Sequence, residues 1–197
     1  MKKVILATVA SALAITGWAG HHEEGEQDAA MSADAAAAMQ AAATPGDSHA
    51  NLAKSVGKFK ASMSMFMAPG AEPMQSTMLV EREMDLDGRV LAEVWQGSVM
   101  GAPFQGRSRT GYDNVTKRYW STWSDNMSTG LLVMYGNWDE SAQAIVFTGT
   151  GNHPVTGASY SMRSVGKHHE DGSESMTMYE DHGAGEYKTM SFTLERI

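Results

Sequence analysis

From Gly57 onward the chain alternates apolar and polar residues in short runs, broken at near-regular intervals by turn-forming residues, and this pattern limits what it can fold into. The runs fall at 60–67, 76–85, 89–97, 104–112, 117–124, 131–138, 144–149, 158–168, 174–180 and 187–196, about ten in all. Between them stand Pro69-Gly70, Asp87-Gly88, Asp113-Asn114, Asp139-Glu140, Thr156-Gly157, Asp171-Gly172 and the stretch 183–185. Asp and Asn suit such places because their side chains hydrogen-bond the local backbone and tolerate turn dihedrals. The stretch 101–140 is the densest, with three of the five tryptophans, and Tyr112-Asp113-Asn114 closes one run of a hairpin whose next run starts at Lys117.

No segment has the spacing of a strand, a crossover helix and a parallel strand, so the runs form an antiparallel meander. Closing a meander on itself removes the exposed edges that invite aggregation. The expected fold class is therefore all-β: an antiparallel up-and-down β-barrel of about ten strands with one short N-terminal helix. A sandwich is the alternative. In the last run Met190, Phe192 and Leu194 share one face, and Thr189, Ser191 and Thr193 the other. Tyr119 and Trp123 oppose Trp120, so some strands carry bulk on both faces.

Ahead of the strands the composition changes twice. Residues 1–19 begin with Lys2 and Lys3, continue with an apolar run through Ile15 and end in Gly17-Trp18-Ala19, the layout of a signal peptide cleaved after Ala19. That run is shorter than the ~20 residues a spanning helix needs, so no stable membrane anchor is expected after cleavage; an uncleaved anchor is the alternative. Residues 20–47 are polar and then Ala-rich without an apolar stripe, which reads as a disordered tether or a frayed helix. The expected barrel domain spans 48–197. Asp47 or Ser48 caps a short helix that carries Leu52 and Val56 on one face, stops at Gly57 and can plug one barrel end.

The 197 residues suit one domain with an extension, and a net charge of −8 argues against nucleic acid as a partner. Cysteine is absent, which removes a lipid-anchored start, a thiol nucleophile and any thiolate metal site. The expected location is the periplasm or the medium of a bacterium.

Several spaced motifs carry a resemblance to a known family. They are G-x-P-F-x-G at 101–106, T-G-Y-D-N at 110–114, K-x-Y-x-S-T-W-x-D at 117–125 and G-x-W-D at 136–139, with the MAPGAEP turn at 67–73 and Tyr187 to Met190. Together they resemble the bacterial domain-of-unknown-function family 1579, over roughly Leu52 to the C-terminus. The resemblance implies a calycin-like barrel related in shape to lipocalins. Where such relatives have Gly-x-Trp-x-Gly after the first helix, this chain has Gly57-Lys58-Phe59-Lys60-Ala61, so Phe59 must seal that end.

For function, the barrel reading points first to a small apolar or amphipathic ligand held inside, since such sites are mostly apolar with a few polar fixtures. The candidate lining residues are Trp95, Tyr112, Trp123 and Tyr179, with Arg107 and Asp125 as polar fixtures. Five residues separate Arg107 from Tyr112, so on simple alternation they face opposite sides. The same aromatics would also serve as plain core, and a solid barrel acting as a structural or interaction protein is the second reading.

A third reading is copper. Met63, Met65 and Met67 alternate, as do Met176 and Met178, and thioethers suit Cu(I), although methionine also fills cores. Cleavage after Ala19 would leave Gly20-His21-His22, whose amine, amides and imidazole form a square-planar nitrogen set for Cu(II); His21 and His22 are thus the candidate metal ligands. No other cofactor is expected. His168 and His169 are adjacent and face opposite sides of a strand; a haem would need one inward histidine, for which His153 or His182 could serve, but their placement in loops speaks against it. No nucleophile elbow, zinc-protease or phosphate-loop motif occurs, and Glu81, Glu83 and Asp85 read as a solvated strand face, so the chain is expected not to be an enzyme.

Overall fold

A computed structural model describes residues 31–197. Local turn chemistry sets its frame. Asp113, Asp125, Asp139, Asp171 and Asp181 each accept a hydrogen bond from the backbone N–H two residues on, so the same short device reverses the chain five times. The tightest reversal is Met100-Gly101, a two-residue connection with φ of 52° and 80°, as a primed hairpin turn demands.

The strands between these turns are β1 (Gly57–Met65), β2 (Met74–Asp85), β3 (Val90–Val99), β4 (Ala102–Asp113), β5 (Arg118–Asp125), β6 (Leu132–Asp139), β7 (Ala144–Asn152), β8 (Ser159–His168), β9 (Glu174–Asp181) and β10 (Tyr187–Arg196). Each pairs antiparallel with its sequence neighbours, and β1 pairs with β10 from Phe59↔Arg196 to Met65↔Met190. The result is a closed ten-stranded up-and-down barrel. Closure leaves no free sheet edge among these strands, the outcome that favours a barrel over a sandwich.

Two helices precede the barrel, α1 (Ala33–Ala43) and α2 (Asp47–Ala53). The expected plug is α2, whose Leu52 is buried against Leu91 and Tyr119. Segment 20–47, expected as a tether, contains α1 in its described part; every α1 residue is exposed, as a helix without an apolar stripe must be. Side chains of the barrel hold its C-terminal end: Asn114 Nδ2 donates to Thr44 O at 2.7 Å and Arg89 Nη2 to Ala43 O at 2.8 Å. Among the described residues no helix is long and apolar enough to cross a membrane. The expected signal peptide, 1–19, lies outside the described residues.

Gly57 joins helix to barrel. Its φ of +143° is disfavoured for other residues, and a Cβ there would fall 2.2 Å from Arg196 Nη1. Two residues on, Phe59 is fully buried between the guanidinium groups of Arg82 and Arg196, 4.9 and 4.8 Å from its ring centre. Arg196 ties this end shut by donating to Val56 O and Lys54 O. Phe59 thus takes the sealing position.

Candidate functional site

The inward face of the barrel divides into three levels. At the α2 end, Leu52, Leu91 and Tyr119 are buried, with Met84, Tyr112, Ile145 and Phe147 packed on them. His49 belongs here too. Its Nδ1 accepts from Gly46 N at 3.1 Å and its ring meets Tyr112 edge-on, so it caps the helix and packs.

Aromatic rings fill the middle. Trp95 lies edge-on to both Phe192 and Trp123, at 5.4 and 5.9 Å between ring centres, and Trp123 stacks on Phe104. Indole N–H groups taken from water need acceptors: Trp95 Nε1 donates to Glu93 Oε2 at 3.1 Å, and Trp123 Nε1 to Asp125 Oδ2 at 2.7 Å. The other oxygen of Asp125 accepts from Met127 N and Ser128 N, so this carboxylate is committed to tryptophan and turn.

Beside Trp95, three charges are buried together. Arg82 Nε lies 2.6 Å from Glu93 Oε1, and Nη1 donates to Glu174 Oε2 at 2.5 Å, with side-chain exposures of 8, 12 and 11%. Burial by itself would lower the pKa of Arg82, but the two carboxylates outweigh it and hold it above its ordinary value. Burial pushes Glu174 up, yet hydrogen bonding from His168 and the charge of Arg82 prevail and bring it down to about 2. His168 also lies 3.5 Å from Ser55 Oγ, which links the cluster to the turn after α2.

The end away from α2 is polar and aromatic. His182 stacks on Tyr160 at 4.2 Å, lies 6.1 Å from Tyr187 and bonds Glu180 Oε2 at 2.8 Å. His153 stands edge-on to His182, and its Nδ1 accepts from Val155 N and Thr156 N, which places both histidines in local networks. Among the described residues no three His, Asp or Glu side chains converge so as to hold a metal ion.

Filling of the interior is uneven. On β1 to β3 the inward Phe59, Ala61, Met63, Met78, Val80 and Trp95 are buried. On β7 and β9 the inward Ile145, Phe147, Met176 and Met178 stay partly exposed. Gly166 sits between them, paired with Ile145 on one side and Met176 on the other. A Cβ on Gly166 would meet nothing closer than Ile145 O at 3.9 Å. That contact is an ordinary van der Waals one, so this stretch of the inner wall is less completely filled than the β1 to β3 side.

The expected lining residues separate accordingly. Trp95, Trp123 and Asp125 come together in the middle, while Tyr112 lies at the α2 end against Tyr119, 4.8 Å between ring centres. Tyr179 is a correction: β9 turns Met176 and Met178 inward, so alternation sends Tyr179 outward, where the Arg163 guanidinium lies 4.2 Å over its ring. Arg107 also faces outward and is exposed. His21 and His22 lie outside the described residues. Sequence reasoning missed Arg82, Glu93 and Glu174, yet a signal was present: each shares parity with apolar neighbours, Val80 and Met84, Leu91 and Trp95, and Met176 and Met178. A lone charge on an apolar strand face implies a buried partner.

No curated protein matches the chain. A family profile described as "Protein of unknown function (DUF1579)" matches residues 44–196, which takes in α2 and all ten strands. The chain belongs to the DUF1579 family.

Proposed function

We propose that the protein is a non-enzymatic carrier that holds a small apolar or amphipathic molecule inside its barrel. The observation that carries this reading is the incomplete burial of the inward Ile145, Phe147, Met176 and Met178 around Gly166, where a Cβ would make a single ordinary contact. An apolar body suits that wall. A polar end would find Tyr160, His182 and Tyr187 at the far mouth, where hydroxyl and imidazole groups offer donors and acceptors. Burying apolar ligand surface stabilises such a complex by roughly 25 cal/mol per Å² before ordering costs. The basic and then apolar start of the chain supports a reading in which the carrier is exported and works in the periplasm or the medium.

Native mass spectrometry of the full chain, purified gently from its own host, tests the reading. The expected result is a non-covalent organic adduct that leaves on denaturation. A bare polypeptide that also fails to take up 1-anilinonaphthalene-8-sulfonate with a saturable, one-site response would sink it. That outcome favours the interaction-protein reading, for which Leu131, Val133 and Tyr135 on the outer side of the barrel supply exposed apolar surface.

A further inference from the structure

Sixteen methionines are many for 197 residues, and the register aligns several of them. Across β2, β1, β10 and β9, Met74 stands opposite Met65, Met65 opposite Met190, and Met190 opposite Met178. Met65, Met178 and Met190 all pack on the interior cluster that contains Met63 and Trp95, so their side chains share the inward face. Directly opposed residues have Cβ atoms about 5 Å apart, and methionine has three rotatable bonds, so three sulfurs from adjacent strands can close on one point.

Two independent features bear on the same row. The β9–β10 ladder slips between Lys188 and Met190, leaving Thr189 as the extra residue, buried and with Oγ1 donating to Met178 O at 3.5 Å. Such bulges re-aim the neighbouring side chain. The row also reaches solvent. The β2–β3 ladder starts only at Met78↔Gly97, and beyond it lies a cavity of about 520 Å³ lined by Met65, Met74, Met100, Ser76 and Ser98 among others.

We propose that Met65, Met178 and Met190 form a three-thioether site for one monovalent copper ion, loaded through the cavity beside Met74 and Met100. Thioethers are soft, neutral ligands that select Cu(I) and offer little to Mg²⁺, Ca²⁺ or Zn²⁺. Burying one positive charge costs less than burying two, which favours the monovalent ion again. This inference stands apart from the carrier reading.

The test uses the full chain, titrated anaerobically with Cu(I) against the colorimetric chelator bicinchoninate. The expected result is one ion per chain with an all-sulfur first shell by X-ray absorption. The M65L/M178L/M190L variant is expected to lose affinity by about a hundredfold, whereas M84L/M134L, which alters inward methionines elsewhere, and H21A/H22A keep it. Single leucine variants, each checked for fold by circular dichroism, serve if the triple variant does not fold, and each should weaken binding. Absence of Cu(I) binding, equal binding by the variants, or loss confined to H21A/H22A would overturn the proposal and leave the row as packing.

Discussion

Arg82 and Glu174 meet across the barrel interior, Nη1 to Oε2 at 2.5 Å, although their strands β2 and β9 are separated in the wall by β1 and β10. The pair therefore braces parts of the wall that lie three strands apart. With Glu93 it forms a buried triad in which each charge is tolerable only because the others are present.

That dependence gives a pH signature. Glu174 has a folded pKa of about 2 against an ordinary 4.5, so below that ordinary value the unfolded chain binds more protons and stability rises with pH. The contribution, about 3 kcal/mol, is complete above about pH 5 and is lost as pH falls toward 2. Urea unfolding of wild type and E174Q should show a gap of that order at pH 7 that closes near pH 2. A gap independent of pH would show that the charge on Glu174 is not its source.

Removal of the Phe59 ring should open the sealed end. Phe59 is fully buried between two guanidinium groups, so F59A is expected to cost about 3–5 kcal/mol, measured as a fall in the urea midpoint at unchanged slope. A cost below about 1 kcal/mol would mean that neighbouring apolar side chains close into the vacated space without the ring.

Filling the space over Gly166 should separate binding from stability. A Cβ fits there with one ordinary contact and the side chain beyond it would point among the half-buried Ile145, Phe147, Met176 and Met178, so G166L should leave the thermal midpoint within a few degrees of wild type while lowering affinity for 1-anilinonaphthalene-8-sulfonate about tenfold. Unchanged affinity in a folded G166L protein would place the probe elsewhere.

The contact between α1 and the barrel rests on few groups. Asn114 and Arg89 satisfy carbonyls at the helix C-terminus, and no α1 residue is buried. In N114A/R89A, amide exchange over 33–43 should rise toward the rate of a free peptide, while the strands keep their protection. Retained protection would show that the helix holds by itself.

Much of this architecture was legible locally. Period-two runs located all ten strands to within a few residues, and the aspartates that stand at the turns do reverse the chain, because an Asp side chain acts on a backbone N–H only two residues away. Parity correctly separated Arg107 from Tyr112. It could also have excluded Tyr179, which is one residue out of phase with the inward Met178; its aromatic ring outweighed its position.

The sequence by itself thus determined the strand count, their antiparallel order, the plug helix and the family. What it left open was which inward residues meet. Arg82 faces Glu174, and Met65 lines up with Met190 and Met178, only once β1 closes on β10 in one register. That register joins segments more than a hundred residues apart and is decided by burial summed over the whole wall, including one bulge at Thr189, which no local pattern encodes.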